Sequence, residues 1–338
     1  MTLVGWAQII AILALCVISA LVLGRSMARV FAGERTFMSP IIAPVEGVIH
    51  RMAGIDPAKE QGWLAFALSM IAFNLVGFVA LYALLRLQGV LPFNPSLFPG
   101  LDPDLAFNTA VSFVTNTNWQ SYSGEATMSD LSQMAGLTVQ NFLSAATGIA
   151  LALALVRSFA RGSVSTVGNF YVDVIRAVLY VLLPLAIVTA AAQIYLGTPQ
   201  TLAGPVSATT LEDGTQVIAR GPVASQLAIK QLGTNGGGFF NANAAHPFEN
   251  PSPLTNVLTI WQMLVVSLGL VFAFGRMIDD KRQARVLVGV MGFLLFAGIG
   301  IAYYAESAGT PMLAAAGLDP AGGNICLLYT SDAADEGL

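Results

Sequence analysis

The stretch FNTAVSFVTNTNWQSYSGE fills residues 107–125, and SQLAIKQLGTNGGGFFNANAAHPFENP fills residues 225–251. Each starts as a short semi-apolar helical pattern and runs into a Thr-Asn dipeptide, at Thr115 in the first and Thr234 in the second. Each also lies between two long apolar segments. A short helix that enters a membrane and returns as extended backbone fits both, because irregular backbone at membrane depth must line protein or water. We therefore predict an internal repeat of two re-entrant pore loops.

Composition places the whole chain in a lipid bilayer. Of its 338 residues, 55% are hydrophobic and only 10% are charged, whereas a soluble domain carries about 25% charged residues. The net charge of −4 favours neither a nucleic-acid partner nor a basic membrane-surface helix. Cys16 and Cys326 are far apart, which supports neither a disulfide framework nor a zinc site. The expected fold is all-α and polytopic.

Six segments have the roughly 20 apolar residues that a spanning helix needs. They are residues 3–23, 64–85, 131–156, 174–196, 257–274 and 286–304. The third segment is interrupted by Thr138, Gln140 and Asn141. Polar residues in a span either make interhelical hydrogen bonds or line a wet path, and the sequence leaves both readings open.

Basic residues predict the orientation of the spans. Of the 15 basic residues, only Arg86, Arg220 and Lys230 fall in the connections that follow the second and fourth spans. The rest cluster in the other connections. Because basic residues concentrate on the cytoplasmic side, we expect the N-terminus to face outward and both pore loops to open outside.

The residue types in the loops suit a cation filter. A cation that crosses a membrane exchanges its water for oxygen ligands, often backbone carbonyls. Glycine and asparagine tolerate the left-handed backbone conformations that turn successive carbonyls toward one axis, and we expect positive φ at Gly236. A flexible turn at residues 236–238 is the competing reading. Lys230 is read either as a snorkelling residue or as an electrostatic gate.

Acidic side chains are expected at the outer mouth, where they would raise the local cation concentration. These are Asp102, Asp104, Glu125, Asp130, Glu212, Asp213 and Glu249. No organic cofactor is expected, because residues 236–238 match neither a phosphate-binding loop nor a dinucleotide fingerprint. His50 and His246 would lie on opposite sides of the membrane and so form no metal site.

At residues 111–125 and 231–251 the chain closely resembles the A subunit of the Kdp potassium-transporting P-type ATPase of bacteria. The second loop is long and unusual, so the resemblance is specific, and it extends from the N-terminus to about residue 324. It implies a K+-binding, channel-related subunit in the bacterial inner membrane. The expected partners are a P-type ATPase catalytic subunit and small membrane subunits. The present chain has no DKTGT-like phosphorylation motif and is expected not to hydrolyse ATP itself.

The resemblance also assigns residues to the filter. By position, the first filter strand and the affinity-associated residue after it are Thr115, Asn116, Thr117, Asn118 and Gln120. The second strand is Thr234, Asn235, Gly236 and Gly237, and we add Gly238 from the glycine run. Together these are the expected K+-binding residues.

The expected organisation is an extra leading helix followed by repeats. Its parts are a leading helix at 1–30, a first span–loop–span repeat at 63–160, a second at 172–285, the first span of a third at 286–324, and a tail at 325–338. The family's chains continue through the third and fourth repeats, so we expect two of four filter walls to be missing here. The tail ICLLYTSDAADEGL resembles translated sequencing-adapter read-through. We interpret it as an assembly artefact rather than a divergent natural tail.

Two other functions stay open at this stage. A passive K+ channel or cation symporter of the same superfamily would share the loops, although the leading helix and the second loop favour the pump subunit. A non-conducting membrane scaffold is the third reading, but it would have no reason to repeat the Thr-Asn loops.

Overall fold

The structure is a computed structural model that describes residues 2–162, 165–210 and 214–308. Within these ranges the chain is mostly helical. The helices are α1 (Leu3–Phe31), α2 (Ser39–Met52), α3 (Trp63–Val90), α4 (Pro103–Val114), α5 (Gly124–Thr127), α6 (Ser132–Ala160), α7 (Phe170–Tyr195), α8 (Val223–Leu232), α9 (Pro253–Met277) and α10 (Lys281–Ala308). The strands are β1 (Gln61–Gly62), β2 (Thr166–Gly168), β3 (Val206–Thr209) and β4 (Thr215–Ile218).

Six of these helices are long and apolar enough to cross a membrane, and they confirm the six predicted spans. They are α1, α3, α6, α7, α9 and α10. Each extends beyond its predicted apolar segment at one end or both, because the flanking residues continue the backbone hydrogen-bond pattern. Two spans contain a π-helical turn, at Ser132–Thr138 in α6 and at Ala177–Leu182 in α7.

The two predicted short helices also form. Helix α4 has 12 residues and lies between spans α3 and α6. Helix α8 has 10 residues and lies between spans α7 and α9. Neither is long enough to cross a bilayer. The chain thus contains two span–short helix–span units, preceded by α1 and followed by α10.

The largest apolar core joins α1 to both units. It includes Met27 of α1, Phe66 of α3, Ile149 of α6, Phe170 of α7 and Val266 of α9, all of them buried. Helix α1 packs along α9. The two backbones approach closely at Gly24, where an added Cβ would lie 2.7 Å from the carbonyl oxygen of Gly269. Small residues permit this kind of contact between membrane helices.

Two helices, α2 and α5, and two pairs of strands were not expected from the sequence. Helix α2 lies in the connection between the first two spans, where Arg176 and Tyr180 of α7 both contact Glu46 at 2.8 Å. Strand β1 pairs with β2 on that side of the molecule, and β3 pairs with β4 in the connection before α8. The predicted domain limits remain predictions, and the predicted tail lies outside the described residues.

Candidate cation-binding site

Each short helix ends in a coil segment that keeps contact with the last turn of that helix. In the first coil segment, residues 115–120, the amide of Thr117 donates to the carbonyl of Ser112 at 3.0 Å. In the second, residues 233–238, the amide of Asn235 donates to the carbonyl of Lys230 at 3.0 Å. The same backbone bond therefore turns the chain at the C-terminal end of both helices.

Residues with positive φ alternate along the start of both segments. In the first segment Asn116 has φ +62° and Asn118 has φ +56°. In the second, Thr234 has φ +51° and Gly236 has φ +93°, which confirms the prediction for Gly236. Alternation between right-handed and left-handed conformations turns successive carbonyls to the same side of a chain. Threonine rarely adopts this region, so Thr234 is held there by its surroundings.

The structural register of the repeat differs from the sequence match. Matching the Thr-Asn dipeptides pairs Thr115 with Thr234. The helix ends, the backbone bonds and the positive φ values instead pair Thr115 with Gly233 and Asn116 with Thr234. The offset between the units is thus 118 residues, one fewer than the dipeptides suggest. Matching the Thr-Asn dipeptides gives the wrong register, because the backbone conformation at the end of a helix depends on its hydrogen bonds rather than on residue identity.

The backbone carbonyls of residues 115–118 and 233–236 receive no hydrogen bond from any described residue. The carbonyls just beyond them are bonded. Trp119 O accepts from Ser112 Oγ at 2.9 Å, and Gly237 O accepts from Lys230 Nζ at 2.7 Å. Asn118, Gly233 and Asn235 are buried, and buried backbone carbonyls in proteins are nearly always paired. Thr115, Thr117, Thr234 and Gly236 are exposed. The two matching sets of unbonded carbonyls are therefore available to an external partner.

Side chains join the two segments to α6. The amide nitrogen of Asn235 donates to Asn116 Oδ1 and, at 3.1 Å, to Ser144 Oγ. Ser144 Oγ in turn donates to Asn116 Oδ1 at 2.9 Å. The amide nitrogen of Asn118 donates to Asn141 Oδ1 at 2.6 Å. The Asn116 and Asn118 amides thus brace the segments, whereas the Thr115 and Thr117 hydroxyls contact each other at 2.9 Å.

A second junction lies at the far end of the segments. Gln120 Oε1 accepts from the Gly238 amide at 2.8 Å, and its Nε2 donates to the Gly238 carbonyl at 3.0 Å. Beside it, Gly237 has φ +65°, and an added Cβ would lie 3.0 Å from both Asn118 O and Gln120 Oε1. Glycine is therefore required there by close approach as well as by conformation.

A cavity of about 390 Å³ lies where the two short helices end. Its wall includes Thr115 and Asn116 from the first segment, Thr234 from the second, and Ser144, Thr147 and Ser267 from the spans. The described residues that line it carry no charge. Helix C-termini carry partial negative charge, and two of them meet here.

The polar residues Thr138, Gln140 and Asn141 of the third span could make interhelical hydrogen bonds or line a wet path, and their contacts differ. Gln140 donates to the carbonyl of Gly77 at 3.2 Å, which is an interhelical contact. Thr138 donates to the carbonyl of Gln133 within its own helix. Asn141 instead contacts the first coil segment through Asn118. Only Asn141 is therefore close to the candidate site.

Two expectations for charged residues are wrong. Lys230 does not snorkel, because its side chain is 2% exposed and pairs with Glu249 at 2.5 Å. Glu249 is not free at the outer mouth, because its side chain is 1% exposed and also accepts from the amides of Phe239 and Phe240. Burial of one charge requires its partner, so the pair forms together. Glu212 and Asp213 lie outside the described residues.

Two other ionisable groups near the mouth, Asp130 and His246, have shifted pKa values. Burial raises the pKa of Asp130 to about 6. Burial lowers the pKa of His246, whose ring stacks on Phe240 with centroids 3.8 Å apart. Its Nδ1 accepts from the amide of Phe248, as a neutral imidazole can. Of the other expected mouth residues, Glu125 accepts from the amide of Asn241 at 2.9 Å, and Asp102 and Asp104 are exposed.

Sequence reasoning missed Ser144 and the pairing of Lys230 with Glu249, and it left Asn141 with two open readings. Ser144 and Asn141 carry no distinguishing signal, since polar residues in a span have two ordinary explanations. The pair could have been found, because Lys230 and Glu249 are opposite charges that flank an otherwise uncharged stretch.

Two units of span, short helix, coil segment and span, which meet around free carbonyls, define an all-α polytopic membrane protein built from paired loops. A family model described as "KdpA: Potassium-transporting ATPase A subunit" matches residues 10–327. The chain belongs to that family.

Similar proteins agree with this assignment. A protein named potassium-transporting ATPase potassium-binding subunit from Allorhizobium ampelinum is 57% identical over 321 residues, which cover 95% of this chain and 56% of that protein. Proteins of the same name from Rhodopseudomonas palustris and Methylorubrum extorquens are 56% and 57% identical and cover 96% of this chain and 57% of each relative. The chain thus spans a little over half the length of these relatives.

Proposed function

We propose that this chain binds K+ from outside the cell for an ATP-driven uptake system. The observation that carries the proposal is the set of free carbonyls at residues 115–118 and 233–236, placed at matching positions of two repeated units. Rings of carbonyl oxygens replace the hydration shell of K+ in selective pores. The relatives named as potassium-binding subunits support K+ as the ion.

The expected filter residues then divide into two roles. The backbone oxygens of residues 115–118 and 234–236, with the hydroxyls of Thr115, Thr117 and Thr234, would contact the ion. The remaining three residues would not contact the ion but would hold the coil segments in place: Gln120, Gly237 and Gly238. Gln120 and Gly238 bond to each other, and Gly237 O already accepts from Lys230. Loss of the Gln120–Gly238 bonds or of the Lys230–Gly237 bond would move the free carbonyls of the segments.

The cavity at the helix ends suits a cation that has passed the filter. Its hydroxyl and amide groups offer oxygen ligands, and the two helix C-termini supply a favourable field. An uncharged lining lets a monovalent cation bind and still leave, since conduction needs weak binding as well as entry. This favours transit of K+ rather than permanent binding.

ATP hydrolysis is proposed to occur on another chain. The relatives' names place them in a potassium-transporting ATPase, and this sequence has no DKTGT-like motif. The expected partners are a P-type ATPase catalytic subunit and small membrane subunits.

The proposal is tested on the assembled complex, in which the full-length protein and its partner subunits are purified together. K+ at submillimolar concentration should stimulate ATP hydrolysis, and Na+ at the same concentration should not. Equal stimulation by both ions, or by neither, would contradict the proposal. Ion flux through liposome-embedded complex without ATP would favour the passive-channel reading.

The proposed orientation has the N-terminus outside and the short-helix loops open to the exterior. It rests on the distribution of basic residues. Ser96 lies in the connection after α3 and Arg282 in the first turn of α10, and both are exposed. In a background with Cys16 and Cys326 replaced by Ser, Ser96→Cys should react with an impermeant maleimide in intact cells, and Arg282→Cys should react only after lysis. Labelling of position 282 in intact cells would reverse the scheme.

A further inference from the structure

Two residues at the same position of the two short helices make the same contact. Ser112 on α4 and Lys230 on α8 are related by the 118-residue offset that also relates Gln120 to Gly238. Ser112 Oγ donates to the carbonyl of Trp119, and Lys230 Nζ donates to the carbonyl of Gly237, which are again equivalent residues. The side chains differ in length and charge, but the bond from helix to coil segment is retained.

These bonds mark the limit of the free carbonyls. The backbone oxygens of residues 115–118 and 233–236 accept no hydrogen bond from the part of the chain that the structure describes. The next residue of each segment has its carbonyl oxygen engaged by a donor on its own helix. The bonds therefore determine where the row of free carbonyls ends.

The lysine brings a positive charge close to a proposed cation path, where it would repel the ion. Glu249 neutralises it, since Glu249 Oε2 lies 2.5 Å from Lys230 Nζ and both side chains are nearly fully buried. Glu249 Oε1 accepts from the amides of Phe239 at 2.9 Å and Phe240 at 3.2 Å. The carboxylate thus holds the backbone that follows Gly238.

We propose that Lys230 and Ser112 are positioning residues that hold the outermost carbonyl of each coil segment away from the ion path, with Glu249 as the neutralising partner of Lys230. This inference rests on the proposed K+-binding function. Without these bonds the Gly237 and Trp119 carbonyls can turn toward the path, and the row of oxygens loses its defined length. Affinity for K+ and discrimination against Rb+ should both fall.

The experiment measures ATP hydrolysis by the purified complex against K+ and Rb+ concentration. Lys230→Met combined with Glu249→Gln removes both charges together and so avoids an unpaired buried ion. Ser112→Ala tests the equivalent bond with a small change. Arg157→Met with Asp173→Asn is the matched control, because it removes another buried ion pair, with Arg157 Nη2 at 2.8 Å from Asp173 Oδ1, away from the coil segments.

We expect the half-saturating K+ concentration to rise about tenfold in the Lys230/Glu249 variant and about threefold in Ser112→Ala, with hydrolysis at saturating K+ retained. The Arg157/Asp173 variant should lower thermal stability without moving half-saturation. Unchanged half-saturation in Ser112→Ala and the Lys230/Glu249 variant, or an equal shift in the control, would overturn the inference. If the Lys230/Glu249 variant does not assemble, Ser112→Ala decides alone. Failure of the unmodified complex to respond to K+ would instead reject the proposed function.

Discussion

Gln120 holds Gly238 by two hydrogen bonds, accepting from its amide and donating to its carbonyl across the boundary between the two repeated units. The contact joins two coil segments that otherwise touch mainly through the Asn116–Asn235 amides. A glutamine side chain can bond to both backbone groups of one residue because its amide carries an acceptor oxygen and an NH2 donor in the same plane. The relative position of the two rows of carbonyls thus depends strongly on one residue.

Gln120→Leu should therefore weaken K+ binding with little effect on catalysis elsewhere in the complex. The change leaves both backbone groups of Gly238 without these partners, and we expect about a tenfold rise in the half-saturating K+ concentration. Titration of K+-stimulated ATP hydrolysis measures it.

The matched control for that prediction is Gln200→Leu. Gln200 makes a similar two-way contact with Ser225 in the first turn of α8, away from the coil segments. It donates to Ser225 Oγ at 3.1 Å and accepts from the Ser225 amide at 2.9 Å. It should leave half-saturation unchanged. An equal shift in both variants would mean that the response reflects general destabilisation.

Gly236→Ala should also lower K+ affinity, for a conformational reason. Gly236 has φ +93°, and no heavy atom of the described residues lies within 4 Å of an added Cβ, so strain rather than collision is the expected cost. That cost is roughly 1–2 kcal/mol, or about five- to thirty-fold in affinity if it falls on the ion-bound state. Discrimination against Rb+ should fall as well.

Gly54→Ala is the corresponding control, because Gly54 has φ +65°, equally open surroundings and a place outside both coil segments. It should cost stability and leave K+ affinity alone. Loss of assembled complex in Gly236→Ala with an unchanged half-saturation point would show that Gly236 serves packing only.

Asp130 should make stability depend on pH. Its pKa is raised to about 6 by burial beside a cavity that Glu125 and Arg220 also line. The pKa of Asp130 is higher in the folded protein than in the unfolded chain. Its contribution to the free energy of unfolding is therefore present at low pH and is lost as the pH rises through about 6. Asp130→Asn should therefore raise the thermal unfolding midpoint at pH 8 and have little effect at pH 4, a difference on the order of 2–3 kcal/mol.

The exposed Asp104 supplies the comparison for this effect. Asp104→Asn should change the midpoint by less at either pH, since an exposed carboxylate keeps its hydration. A pH profile of Asp130→Asn parallel to that of the unmodified protein would refute the role of burial at Asp130.

Gly24→Val should separate α1 from α9. The added Cβ would lie 2.7 Å from both Gly269 O and Phe272 Cβ, and a close helix–helix contact cannot absorb this without a backbone shift. We expect a loss of about 1–3 kcal/mol, seen as a lower unfolding midpoint in detergent. Gly298→Val in α10 carries the same helix-propensity cost, but within the described ranges no heavy atom lies within 4 Å of the added Cβ. A similar loss in both would point to helix propensity alone.

The sequence by itself determined the membrane class, the six spans and the two short helices. These follow from local chemistry, because a bilayer requires about 20 apolar residues per span and forces backbone groups to bond within a helix. It also predicted the left-handed conformation at Gly236, since residue type limits φ. Two contiguous stretches, residues 107–125 and 225–251, were enough to predict a cation filter and to reveal the family resemblance.

Tertiary structure alone decided how those stretches meet. Three contacts join residues that lie between 19 and 118 positions apart in the chain. They are Gln120 with Gly238, Lys230 with Glu249, and Ser144 with Asn116. The register of the repeat likewise depends on where α4 and α8 end rather than on the Thr-Asn dipeptides. Sequence separation carries no information on such contacts, because a buried polar group takes whichever partner the packed helices bring within hydrogen-bonding distance.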